Sequence, residues 1–153
     1  MAPAKKKAND DHCIGRSRGG LSTKIHALVD ARGLPIDIVL TPGQRHDVVG
    51  ASALLVNLCE GDIVLGDKAY DTDGVREQIQ AQGAVPNIPD KASRKEKHCF
   101  SKTLYKERNL VERFFNKIKH FRRIATRFEK LAQNFRAMIN LASIRIWLRH
   151  VAP

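Results

Sequence analysis

Leu104-Tyr105-Lys106-Glu107-Arg108-Asn109-Leu110-Val111-Glu112-Arg113-Phe114-Phe115-Asn116-Lys117-Ile118-Lys119 is the stretch on which the fold turns. An α-helix rotates about 100° per residue. Tyr105, Arg108, Glu112 and Lys119 then fall within an arc of roughly 60°, and Leu110, Phe114, Ile118 and Phe121 fall on the opposite side. One face is apolar and suited to packing on a sheet. The other shows a single carboxylate between Arg108 and Lys119. By itself that face reads as solvated surface, with Arg108 and Glu112 paired at i,i+4. A functional reading needs a second carboxylate from elsewhere in the chain.

Asp67 supplies one. Ile63-Val64-Leu65 is short, apolar and β-branched, as a buried strand is, and it runs into Gly66-Asp67-Lys68-Ala69-Tyr70-Asp71. Ligand groups commonly sit at the carboxyl ends of strands in α/β sheets. Carboxylates converging there suit a divalent ion, because Mg2+ prefers hard oxygen ligands. Two such ions about 3.5–4 Å apart activate the attacking oxygen of a phosphodiester cleavage and stabilise the leaving one. Neighbouring cations would hold the DNA backbone.

The flanking sequence predicts a mixed α/β layout. From Ser22 to Ala31, Ile25, Ala27 and Val29 alternate with Lys24, His26, Leu28 and Asp30, which is a strand pattern. Arg32-Gly33-Leu34-Pro35 reads as a turn into a second strand over Ile36–Leu40, making a hairpin. Asp47 is placed to cap a helix over Val48–Leu58, and Asp73 to cap a short helix over Gly74–Gln82. His46 is read as part of the loop and cap before the first of these. Ala84–Pro89 reads as a short edge strand. Residues 90–103 form a polar connector, and helices follow over about 104–121 and 128–149. Trp147 is read as a packing anchor rather than a base-stacking residue. The order is one α/β domain over 21–153, a small sheet covered by helices, behind a basic tail or loop over 1–20.

Net charge is +11 in 153 residues, which favours a polyanionic partner. Residues 91–130 hold fourteen Lys or Arg against four Asp or Glu, so the charge is a localised footprint and not a general solubility device. The phenylalanines among them read as core anchors of amphipathic helices. Gly15-Arg16-Ser17-Arg18-Gly19-Gly20 also suits phosphate contact. No apolar run approaches the roughly 18–20 residues of a membrane span. The three cysteines, Cys13, Cys59 and Cys99, have no regular spacing, which fits a reducing cytoplasm. His12-Cys13 and His98-Cys99 lack zinc-ligand spacing and are read as ordinary surface residues.

With these residues in place the chain resembles the DDE transposases of bacterial insertion sequences. Tyr105, Arg108, Glu112 and Lys119 match the Y-x2-R-x3-E-x6-K signature of that family. Leu65–Asp71 is similar to the segment bearing the family's second catalytic aspartate, and Gly15–His26 to the stretch after the first. The resemblance implies an RNase H-like fold, a carboxylate triad holding two Mg2+ or Mn2+ ions, hydrolysis at transposon ends, and attack of the freed 3′-hydroxyl on target DNA. Asp67 would be the second triad member and Glu112 the third. Lys119 would contact terminal phosphates. Tyr105 and Arg108 would support Glu112 or the DNA, and Arg122, Arg123, Arg16 and Arg18 would add DNA contacts. A homo-oligomer on double-stranded DNA is implied.

The family's first aspartate lies upstream of the segment matching Lys5-Lys6-Lys7. Asp10 and Asp11 sit in the polar leader and Asp30 inside a later strand, so none matches it. The expectation is a domain without its first strand, completed by an upstream transposase polypeptide. The alternative is a DNA-binding fragment without catalysis. An RNA-binding module is disfavoured, since no aromatic RNA-binding motif is present.

Overall fold

The computed structural model describes residues 12–151. The lysine run, Asp10 and Asp11 lie outside the described residues. Strands β2 (Gly20–Val29) and β3 (Pro35–Pro42) form the expected hairpin, with Ile25 opposite Leu40 and Ala27 opposite Ile38. The Asp30 carboxylate closes its turn by accepting from the backbone of Arg32 and Leu34, each at 2.9 Å. Gly33 supplies the positive φ of 75° that the turn requires. A further strand, β1 (Gly15–Ser17), pairs antiparallel with the start of β2. The basic loop expected up to residue 20 therefore contains ordered strand, folded back through Gly20 at φ 104°.

Alternation along β2 buries both faces of the hairpin. Ile25, Ala27 and Val29 pack on a core of Leu34, Ile38, Phe114, Ile118, Phe135 and Ile139. These last come from α4 (Asn109–Lys119) and α6 (Ala132–Val151) as well as from β3 and its turn. His26 points the other way, toward α1 (Asp47–Leu54). Its ring lies where a Cβ on Gly50 would come within 2.2 Å, so only glycine lets the helix approach this closely. Burial holds the His26 imidazole below its ordinary pKa, against the upward pull of Asp47. Its Nε2 sits 2.8 Å from the Thr41 hydroxyl.

Two caps differ from the sequence reading. His46, not Asp47, occupies the N-cap of α1, and its side chain makes no capping bond. The Asp47 carboxylate instead accepts from Lys24 Nζ at 2.8 Å, tying α1 to β2. Helix α2 (Asp73–Ala81) is capped by Thr72, whose hydroxyl accepts from Val75 N. Asp73 then lies in the first turn, where the helix dipole favours an acid.

Strand β4 (Ile63–Leu65) pairs parallel with β5 (Val85–Asn87), and α2 makes the crossover between them. A second core of Leu55, Val75, Ile79, Ala84 and Ile88 lies beneath. β4 is less buried than its composition suggested: Ile63 is 51% exposed. Among the described residues only β5 pairs with it, so its other edge is open. The hairpin sheet and the β4–β5 pair remain separate sheets.

The connector after β5 is held by a buried ion network. The Asp71 carboxylate, fully buried, accepts from Arg76 Nε at 2.8 Å, Arg94 Nε at 2.9 Å and Lys91 N at 2.7 Å. Arg76 continues to the Ile88 carbonyl and to Asp90, which also meets His98. The last helices begin at α3 (Lys102–Tyr105), which Ser101 caps by accepting from Leu104 N. One 3-10 turn over Lys106–Arg108 leads into α4. A short α5 (Arg122–Ala125) precedes α6. Trp147 anchors α6 to the hairpin by donating from Nε1 to the Pro35 carbonyl at 3.0 Å.

Breaking a buried pair leaves an uncompensated charge. Arg76→Ala should therefore lower stability by about 3–5 kcal/mol in urea unfolding. Burial alone would raise the Asp71 pKa, but hydrogen bonds from Arg94, Lys91 and Arg76 outweigh it and hold the carboxyl well below its usual range. A depressed folded-state pKa stabilises above the ordinary carboxylate pKa and is lost as pH falls below it. Wild-type stability should thus decline from about pH 5 toward pH 3. Asp71→Asn should flatten that decline in unfolding curves taken across the same range.

Candidate active site

Parallel pairing in register places Leu65 beside Asn87. Asp67 follows two residues beyond Leu65, past Gly66, which lies close against Ile88. The Asn87 side chain is buried and grips Ser101 twice. Its Nδ2 donates to the Ser101 carbonyl at 3.1 Å, and its Oδ1 accepts from Ser101 N at 2.8 Å. The start of α3 is thereby fixed beside the end of the β4–β5 pair. Nothing in the sequence reading singled out Asn87. The one signal was a polar residue in a short apolar strand, which needs a partner when buried.

The helix beyond Ser101 then delivers its polar face to Asp67. Tyr105 Oη donates to Asp67 Oδ1 at 3.5 Å, a long contact. Arg108 Nη1 lies 3.6 Å from Asp67 Oδ2, and Arg108 Nη2 lies 2.5 Å from Glu112 Oε1. One guanidinium thus bridges two carboxylates that are 45 residues apart in sequence. It also sits 5.6 Å from the centre of the Tyr105 ring, and Phe100 packs edge-on against that ring at 5.2 Å. Burial would lower the Arg108 pKa, but Glu112 and Asp67 raise it. Asp67 and Glu112 are each about half exposed, so both carboxylates are open to an incoming ligand.

The other sequence-predicted contacts are placed less closely. Lys119 is exposed in the last turn of α4. Arg122 and Arg123 are exposed on α5, where Arg123 meets Glu129 at 3.4 Å. Arg16 is exposed on β1 and Arg18 in the turn after it. The geometry brings Tyr105, Arg108, Asp67 and Glu112 together and leaves these cations on the surrounding surface.

Beside the site a groove of about 760 Å3 opens between the two sheets. Residues 25–31 line it in unbroken succession, and so do residues 63–67. Successive residues point to opposite faces of a strand. An unbroken run therefore marks strand edges, not faces. Glu112, Arg108 and Asp67 lie along the same groove.

Asp71, Asp90 and His98 also lie within 4.8 Å of one another. Their acceptor atoms are already occupied by Arg76, Arg94 and the connector backbone. A divalent ion there would meet two fixed guanidinium groups, so this cluster is an ion-pair network and not a metal centre. His98 is hydrogen-bonded within it, and Cys59 and Cys99 are free thiols at the surface.

Residues 2–147 match the family model described as "Transposase DDE domain". The chain is 43% identical over 130 residues to the "Putative transposase for insertion sequence element IS6501" of Brucella ovis, covering 84% of this chain and 100% of that protein. It is 31% identical over 137 residues to the "Putative transposase for insertion sequence element IS402" of Burkholderia cepacia, covering 82% of this chain and 62% of that one. No solved structure matches the chain significantly. The chain belongs to the DDE transposases of insertion sequences, and its mixed α/β fold of small sheets and helices is consistent with an RNase H-like DDE domain.

Two substitutions separate positioning from stability. The Arg108–Glu112 pair is partly exposed, at 25% and 56%, and solvent-accessible pairs contribute about 1 kcal/mol or less. Arg108→Ala should therefore lower the unfolding free energy measured in urea by that much at most. Asn87→Ala removes two hydrogen bonds at a buried amide and should cost about 1–3 kcal/mol. It should also speed hydrogen exchange at the amides of residues 101–105.

Proposed function

We propose that Asp67 and Glu112 are two of three metal-binding carboxylates of a DNA strand-transfer site, and that the third arrives on a separate strand. The observation that carries this is the single Arg108 guanidinium bridging Asp67 and Glu112. Two carboxylates held on one cation can also share a divalent one, and their oxygens are the hard donors that Mg2+ or Mn2+ takes. Ions held there would supply Lewis acidity to the attacking and leaving oxygens of a phosphodiester.

The protein's own groups do the remaining work. Tyr105 and Arg108 orient the carboxylates, and Arg108 swings aside to pair with a backbone phosphate once they turn to a ligand. Lys119, Arg122 and Arg123, with Arg16 and Arg18, hold the flanking DNA backbone. The substrate is double-stranded DNA at the ends of an insertion sequence, with hydrolysis followed by transfer of the freed 3′-hydroxyl to target DNA.

Two carboxylates leave such a site incomplete. Among the described residues no third carboxylate joins Asp67 and Glu112. The groove beside them is bounded by two strand edges and lined largely by apolar side chains. It suits one extended apolar segment paired to β2 and β4, with an aspartate at its end beside Asp67. The proposed source is an upstream transposase polypeptide. This chain working together with that polypeptide on DNA is the proposed functional unit.

The test is to incubate the full chain with end-containing duplex and Mg2+, with and without the upstream polypeptide. Cleavage is expected only in the combined reaction. Glu112→Ala and Asp67→Ala should each abolish it while DNA binding survives. Cleavage retained by either variant would remove that residue from the site, and binding without cleavage in every mixture would make the chain a DNA-binding fragment.

A further inference from the structure

A second cationic surface lies away from the Asp67–Glu112 site. Lys117 and His120 at the end of α4 and Arg145, Arg149 and His150 at the end of α6 converge on one concavity of about 460 Å3. Its floor is the core itself, because Leu34 is 1% exposed and Ile146 8%. The rim is exposed, Lys117, Arg145 and Arg149 are its fixed positive charges, and its lining contains no acid. Among the described residues no carboxylate pairs with Lys117, Arg145 or Arg149, although twelve ion pairs form elsewhere. Arg145 leans over the Phe121 ring at 5.7 Å, which holds its guanidinium on the rim.

Cations at helix ends also complement the helix dipole. That accounts for a cation in the last turn of each helix. It does not account for two helices aiming theirs into one shared, acid-free concavity. Lys117 is five residues past Glu112, about 140° around α4. The concavity therefore opens on a different side from the polar face that carries Glu112 and Lys119.

We infer that Lys117, Arg145 and Arg149 bind the phosphodiester backbone of duplex DNA at a place distinct from the strand-transfer site. Uncompensated guanidinium and ammonium groups in one patch match closely spaced phosphates. Guanidinium and ammonium groups pair with phosphate oxygens whatever the base sequence, so the contact is to backbone and carries no sequence preference. Because the two surfaces face different ways, they engage either a curved duplex or two separate segments.

The test uses the full chain in EDTA, so that cleavage plays no part, with a 20-base-pair duplex of arbitrary sequence read by anisotropy across a salt series. Removing all three cations in Lys117→Gln/Arg145→Gln/Arg149→Gln should weaken binding at least about tenfold. It should also reduce the salt slope by about two to three, near 0.9 for each phosphate no longer neutralised. An unchanged affinity and slope in a variant with wild-type circular dichroism would overturn the inference. Should the triple variant misfold, the wild-type chain is titrated with the same duplex and followed by amide NMR. Shifts at residues 117, 145 and 149 support the inference. Their absence, or shifts there with polyglutamate and not with duplex, overturns it.

Discussion

The Asn87 amide holds the Ser101 backbone through two hydrogen bonds, and the candidate site depends on that clamp. β4 leads into Asp67, whereas the helix from Ser101 onward carries Tyr105, Arg108 and Glu112. A connector of mostly polar residues separates the two. Entropy would leave that connector free unless something local fixed it. Asn87 fixes its far end, and the Asp71–Arg76–Arg94 network fixes its near end. An amide that both donates and accepts suits this role because it also fixes direction.

Packing explains why the site sits at an edge. Each sheet is small, and each rests on its own core, one beneath the hairpin and one beneath the β4–β5 pair. α4 belongs to the first core through Phe114 and Ile118, yet its polar face reaches Asp67 at the end of the second. The bridging guanidinium therefore joins two separately cored halves. Among the described residues no strand covers the facing edges of β2 and β4, and open edges carry backbone groups that require a partner. In water such an edge is a liability unless a strand covers it, and the groove runs along both edges.

Charge is distributed by the same logic. Cations that stabilise the fold are paired or buried, as Arg76, Arg94 and Arg127 are. Arg127 donates to the Thr23 hydroxyl and to four backbone carbonyls. The cations at the ends of α4 and α6, by contrast, have no carboxylate partner among the described residues. The excess of positive charge is therefore informative only after the structural cations have been set aside.

Much of this was legible in the residues. Strict alternation over Ile25–Val29 and the three-and-four spacing of Phe135, Ile139, Ala142 and Ile146 each report local backbone periodicity, so the hairpin and α6 could be read directly. Tyr105, Arg108 and Glu112 could be grouped because a helix converts spacing into angle. Even there one 3-10 turn intervenes at Lys106–Arg108, and it adds about 60° of rotation that periodicity does not reveal. Asp67 could be nominated from its place after a short strand. What only the tertiary structure decided are the relations between distant segments: Arg108 reaching both carboxylates, Asn87 gripping Ser101, Asp47 turning to Lys24 instead of capping its helix, and the separation of the two sheets by a groove. Periodicity encodes which way a side chain points along its own element. Contacts across 14, 23 or 38 residues of chain depend on how elements pack, and no local pattern encodes that.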